Sequence, residues 1–75
     1  MEKYITSDIQ IASLLLAEGI EFLYINDENP RRKLFVFKDE ARITELVKGF
    51  WQDTHKITPR KYMGAFKELK NKLYS

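Results

Sequence analysis

The stretch Ile43-Thr44-Glu45-Leu46-Val47-Lys48-Gly49-Phe50-Trp51 decides how this chain is read. Its apolar residues Ile43, Leu46, Val47, Phe50 and Trp51 recur after three, one, three and one positions, which puts all five on one stripe of an α-helix and has no counterpart in a strand. Asp39 stands where an N-cap belongs, and Glu40 adds negative charge near the helix N-terminus. Arg42, Thr44, Glu45, Lys48 and Gln52 fill the opposite face. A stripe of this kind needs a surface to lie on. The expectation is therefore that it lines the inside of one compact body, with Trp51 as a core anchor at its end.

The totals bound what the rest can supply. A chain of 75 residues holds one hydrophobic core, so residues 1–75 read as a single domain. Without cysteine, disulfides and thiolate metal sites are ruled out, and a reducing compartment is favoured. Packing has to carry the fold alone, and a composition that is 44% hydrophobic and 13% aromatic is that of a globular domain, not a disordered one. The longest apolar run, Leu14 to Ala17, is far short of the ~18 residues that span a bilayer. There is also no basic region followed by a long apolar core at the N-terminus. The expectation is a cytoplasmic protein with no membrane partner. A net charge of +2 hides an asymmetry: residues 1–30 carry one base, Lys3, against six acids, and are −5, which leaves +7 on residues 31–75.

Around the stripe, the other elements follow in order. Residues 3–6 are an optional short strand. Ser7 and Gln10 have the spacing of a capping box, and Asp8 falls in the first turn of a helix running from about Asp8 to Glu18. Ile9, Ile11, Ala12, Leu14, Leu15 and Leu16 give that helix a broad apolar face, and Gly19 is placed to end it. Ile20 to Ile25 and Leu34 to Phe37 are rich in β-branched and aromatic residues, and the polar run Asn26 to Pro30 between them reads as the loop of an antiparallel hairpin. Simple alternation puts Ile20, Phe22 and Tyr24 on one face with Leu23 and Ile25 on the other. After the central stripe, residues 52–57 form a polar connection. Thr58 caps the last helix with Pro59 in its first position, and Tyr62, Phe66, Leu69 and Leu73 form its buried line. The fold class is α+β, order α-β-β-α-α with the optional N-terminal strand, helices packed on the hairpin. A two-stranded hairpin is marginal by itself, so a third strand, the helices or a second copy of the chain must complete it.

No residue cluster calls for chemistry. His55 is the one His, and with Asp53 and Thr54 so close in sequence it reads as a solvated loop residue, not as part of a triad. There are no further His or Cys residues for metal ligation and no glycine-rich phosphate loop. Asp27 with Glu28 and Asp39 with Glu40 read as turn and cap residues. The expectation is no catalytic residue, no metal, no cofactor, no evident small-molecule substrate, and no enzyme.

Basic surface is the stronger candidate. Arg31, Arg32 and Lys33 lie at the entry to the second hairpin strand, and Arg60, Lys61 and Lys67 lie on the last helix. Together they form a candidate site for nucleic acid, with Tyr62 or Tyr74 to stack on bases. The plainer alternative, toward which the sequence leans, is a solvated face whose lysine stems cover apolar neighbours. A winged helix needs its strands after the helix pair, and a helix-turn-helix needs a shorter connection. Phe35 and Phe37 read as core, not as the stacking aromatics of an RNA-binding sheet.

The layout Thr6-Ser7-Asp8, Ala12 and Leu15-Leu16 up to Gly19, Phe35-Val36-Phe37, Phe50-Trp51, Tyr62, then Leu69-Lys70 and Leu73-Tyr74 resembles a small family of bacterial and phage proteins of unknown function over nearly the whole chain. The resemblance implies a bacterial, viral or mobile-element setting and a cytoplasmic location. It carries no catalytic residues. The reading that results is a small non-enzymatic interaction domain whose partner is another protein or a second copy of itself. Its alternative is nucleic-acid binding through the hairpin loop and the last helix.

Overall fold

Residues 3–6, with the pattern Lys-Tyr-Ile-Thr, do form a strand. The computed structural model describes residues 2–74, which run as β1 (Lys3–Thr6), α1 (Ile9–Ala17), β2 (Phe22–Asn26), β3 (Leu34–Lys38), α2 (Arg42–Trp51) and α3 (Pro59–Leu73). Both neighbours of β3 pair with it antiparallel, giving the order β1-β3-β2. The chain is thus α+β, and its own N-terminus supplies the strand that the hairpin lacked.

Helix α1 is the centre of the molecule. Asp8, in extended conformation, is its N-cap, and the Asp8 carboxylate accepts from the Gln10 N–H at 2.8 Å. The expected Ser7 capping box does not form, because Thr6 Oγ1 accepts from the Asp8 N–H at 3.1 Å and sets the cap one residue later. At the other end Gly19 takes φ +85°. Its N–H donates to Leu16 and that of Ile20 donates to Leu15, the paired bonds of a Schellman motif. This turn delivers Ile20 into the core beside Leu15, so Ile20 precedes β2 and is not part of it. Five consecutive residues, Ile11 to Leu15, are buried, as happens when a helix is enclosed on every side. Ser13 is the polar one, and its hydroxyl is satisfied by the Ile9 carbonyl at 2.7 Å.

The sheet turns one face to the helices. Phe35 and Phe37 of β3 are buried there, with Tyr4, Phe22 and Ile25 packed alongside, and the Phe22 and Phe37 rings meet edge to face at 5.3 Å. Strand β2 breaks the alternation expected of it: an irregularity between Phe22 and Tyr24 leaves Phe22 opposite Phe37 but Tyr24 opposite Val36. The extra residue, Leu23, rotates everything after it by one position, so Ile25 points to the core and Tyr24 to the open face. That open face carries the row Ile5, Val36, Tyr24 and the directly opposed pair Lys3 and Lys38. Lys3 Nζ reaches over β3 to the Tyr24 hydroxyl at 3.1 Å and lies 5.2 Å from the ring centre.

Helix α2 holds the main departure from expectation. Only Ile43 of its stripe is buried, Leu46, Val47 and Phe50 are half-buried, and Trp51 is 64% exposed. The angles explain it. At ~100° per residue Phe50 and Val47 flank Ile43 closely, whereas Trp51 lies about 80° round the helix, beyond the strip that α1 covers. Asp39 is not the cap either. Its N–H donates to Glu2 as the sheet pairing runs on, and Ala41 precedes the helix without a side-chain bond. Helix α3 follows expectation, with Thr58 accepting from the Lys61 N–H and Pro59 in the first turn; Leu69 and Ala65 are buried.

Unfolding by urea separates the two aromatic positions. Phe37→Ala should lose about 3–5 kcal/mol, most of the stability of a domain this small. Trp51→Ala should lose under about 1 kcal/mol, because the indole is largely exposed and meets the Phe50 ring edge to face. Equal losses would return Trp51 to the core.

Candidate functional site

The turn that ends α2 helps to build a cleft. Asp53 adopts φ 57°, a left-handed conformation that Asp tolerates better than most residues. With it in place the Thr54 N–H donates to Gly49 and the Asp53 N–H to Phe50, a second Schellman motif with Asp where glycine is usual. The connection therefore folds back against α2. Gly49 permits the approach: a Cβ there would lie 3.1 Å from His55 Cβ.

Between this folded-back connection, α1 and the first turn of α3 lies an open cleft of about 300 Å³, lined by Leu14, Phe50, Asp53, His55, Ile57, Pro59 and Tyr62. Leu14 is its buried floor. The Phe50 ring, which lines the cleft, meets the exposed indole of Trp51 edge to face at 5.2 Å, with the planes at 82°. Tyr62 donates from its hydroxyl to the Gln10 carbonyl at 3.2 Å. Burial, with the Asp8 carboxylate adding to it, raises the Tyr62 phenol above its ordinary value of 10.0.

His55 is not the solvated loop residue expected. Its side chain is mostly buried, and its Nε2 lies 3.0 Å from one Glu18 oxygen, while the other Glu18 oxygen is 3.4 Å from Lys61 Nζ. The approach to Nε2 is not along a ring N–H direction, so this atom is buried without a hydrogen-bond partner among the described residues, and the contact is an ion pair only when the imidazole is protonated. Glu18 thus ties the end of α1 to both the connection and α3. Among the described residues, no three His, Asp or Glu side chains converge so as to hold a metal ion.

The six basic residues proposed for nucleic acid are divided. Lys33 Nζ donates to the Leu73 carbonyl at 2.9 Å, which brings Arg31, Arg32 and Lys33 to the C-terminal turn of α3. Arg60 and Lys61 are in its first turn, roughly 20 Å away at 1.5 Å per residue, and Lys61 faces Glu18. Lys67 stands between the two groups, exposed. The residues that matter to the cleft, Leu14, Glu18 and Gly49, were invisible in sequence as a group, since only the fold brings positions 14, 18, 49 and 55 together. The angular position of Trp51 was the one available signal.

A small α+β domain with a mostly apolar cleft is the class that this fold and this site define. The chain belongs to the family described as a domain of unknown function (DUF5659), whose model matches residues 1–75. No curated protein and no solved structure matches it. Among the described residues no helix is long and apolar enough to cross a membrane.

Two expectations follow from the cleft. A phenol raised in the folded state keeps its proton after the unfolded chain has lost it, so stability is intact below pH ~10 and falls as pH rises through the folded value. Tyr62→Phe should flatten that fall in a chemical-denaturation series run across alkaline pH. Gly49→Ala should destabilise the domain despite the better helix propensity of alanine, because the connection must move off His55; a variant more stable than the parent would show that the connection yields freely.

Proposed function

We propose that this domain is a non-enzymatic interaction module that takes a protein partner at the cleft, with Trp51 as its anchor. The observation that carries the proposal is a Trp left 64% exposed on a ring that itself lines a concavity. An aromatic of this size offers on the order of 150–250 Å² to burial, and interface energy concentrates in such residues when they sit beside a pocket. Met63, also exposed, follows Tyr62 on α3 and adds an adaptable apolar side chain to the surroundings.

Size favours a protein over a metabolite. Small-molecule sites run from roughly 300 to 1,000 Å³, and the cleft, at about 300 Å³ and open to solvent, suits one inserted side chain. The His55 imidazole is turned onto Glu18, an arrangement that fixes a connection and leaves no base poised against a nucleophile. The partner is another protein or a second copy of this chain. The setting we propose, a bacterial or phage cytoplasm, rests on the whole-chain resemblance.

Trp51 is the one Trp of the chain, so its fluorescence reads the site directly. A dilute sample should emit at the long wavelength of a wetted indole and be open to iodide quenching. A blue shift that grows with protein concentration, matched by rising mass in light scattering, would name a second copy as the partner. Constant emission and mass would assign the site to a different protein, to be recovered by cross-linking with the parent and not with Trp51→Ala. Emission already blue and shielded in the dilute monomer would remove the reading.

A further inference from the structure

We propose that the opposite end of the domain, where the β2–β3 loop meets the last turn of α3, binds the sugar-phosphate backbone of single-stranded nucleic acid through Arg31 and Arg32, independently of the cleft. The Lys33 bond to the Leu73 carbonyl joins two basic segments that are 40 residues apart in the chain. Three of the five cations assembled there have local work. Lys33 satisfies a helix-terminal carbonyl, Lys70 Nζ sits 5.7 Å from the Phe66 ring centre, and Lys72 Nζ sits 5.7 Å from that of Phe22.

Arg31 and Arg32 have none. Both are exposed, and among the described residues neither guanidinium makes a hydrogen bond or an ion pair, although Asp27 and Glu28 share their loop. The loop is held instead by asparagine side chains: the Asn26 amide oxygen accepts from the Glu28 N–H and that of Asn29 from the Arg31 N–H. Two unpaired guanidiniums on a braced loop present planar forks of donors, the geometry that suits phosphate oxygens. Tyr74, 81% exposed at the end of α3, offers a flat ring on which a base can stack. Guanidinium forks beside an exposed ring serve a backbone and an unstacked base together, which is why a single strand is the fitting form.

The test is fluorescence anisotropy of the whole chain with a labelled oligothymidylate of about a dozen nucleotides, within the ~4–16 that small single-strand sites cover. Binding should be seen at low salt and weaken with a log–log slope of about −1.4, as two phosphate contacts on a single strand require. Arg31→Glu with Arg32→Glu should lose about tenfold or more, and Tyr74→Ala a few-fold with the slope unchanged. Arg60→Glu with Lys67→Glu, and Trp51→Ala, should stay within about twofold; the last of these separates this site from the cleft. No binding at low salt would overturn the proposal. So would equal losses from the Arg31/Arg32 and Arg60/Lys67 variants, which would mean diffuse attraction, or equal competition by polyglutamate, which would mean an acidic protein.

Discussion

Everything in this fold depends on the burial of the middle of α1, Ile11 to Leu15. Ile11, Ala12, Leu14 and Leu15 leave no outward stripe for water, and even Ser13 is enclosed with its hydroxyl turned back on the helix. A helix with that surface cannot lie on a sheet with one side wet. The sheet covers one side through Phe35 and Phe37, α3 covers another through Leu69, and Ile43 of α2 closes a third. Remove the enclosure and three elements lose the surface against which they pack.

This places the two apolar patterns in the right relation. The sharp stripe of α2 is the most legible feature of the sequence and points to a central helix, yet sharp amphipathicity is the mark of a helix with a solvent side. The diffuse apolar surface of α1 was legible too, as a broad face including Leu14, and breadth is what a central position produces. Gly19, Thr58 and Pro59 could be read because they act within a turn of where they stand, whereas the caps expected at Ser7 and Asp39 could not, because Thr6 and the pairing to Glu2 engage the backbone there. The facing of β2 could not be read, because one extra residue at Leu23 inverts it. Nor could the cleft, whose lining comes from α1, α2, the connection and α3.

The turn after α2 connects fold to site. Asp53 in a left-handed conformation sends the chain back over Gly49, and this sets His55 against Glu18 and Phe50 at the rim. Had α2 continued straight, His55 would not lie against Glu18 and the cleft would lose the wall that the connection supplies. A single backbone angle therefore decides whether Phe50 faces a concavity.

The sheet's uncovered side has its own logic. Lys3 and Lys38 face each other across β1 and β3, and Lys3 leans over Val36 toward Tyr24. Any flat apolar object settling on the row of Ile5, Val36 and Tyr24 must first strip water from the lysine ammonium groups that the same face carries, a cost of several kcal/mol per ion in a dry contact. Stacking this face on its twin would bring four such charges into one dry layer, so the lysines act against pairing through the sheet.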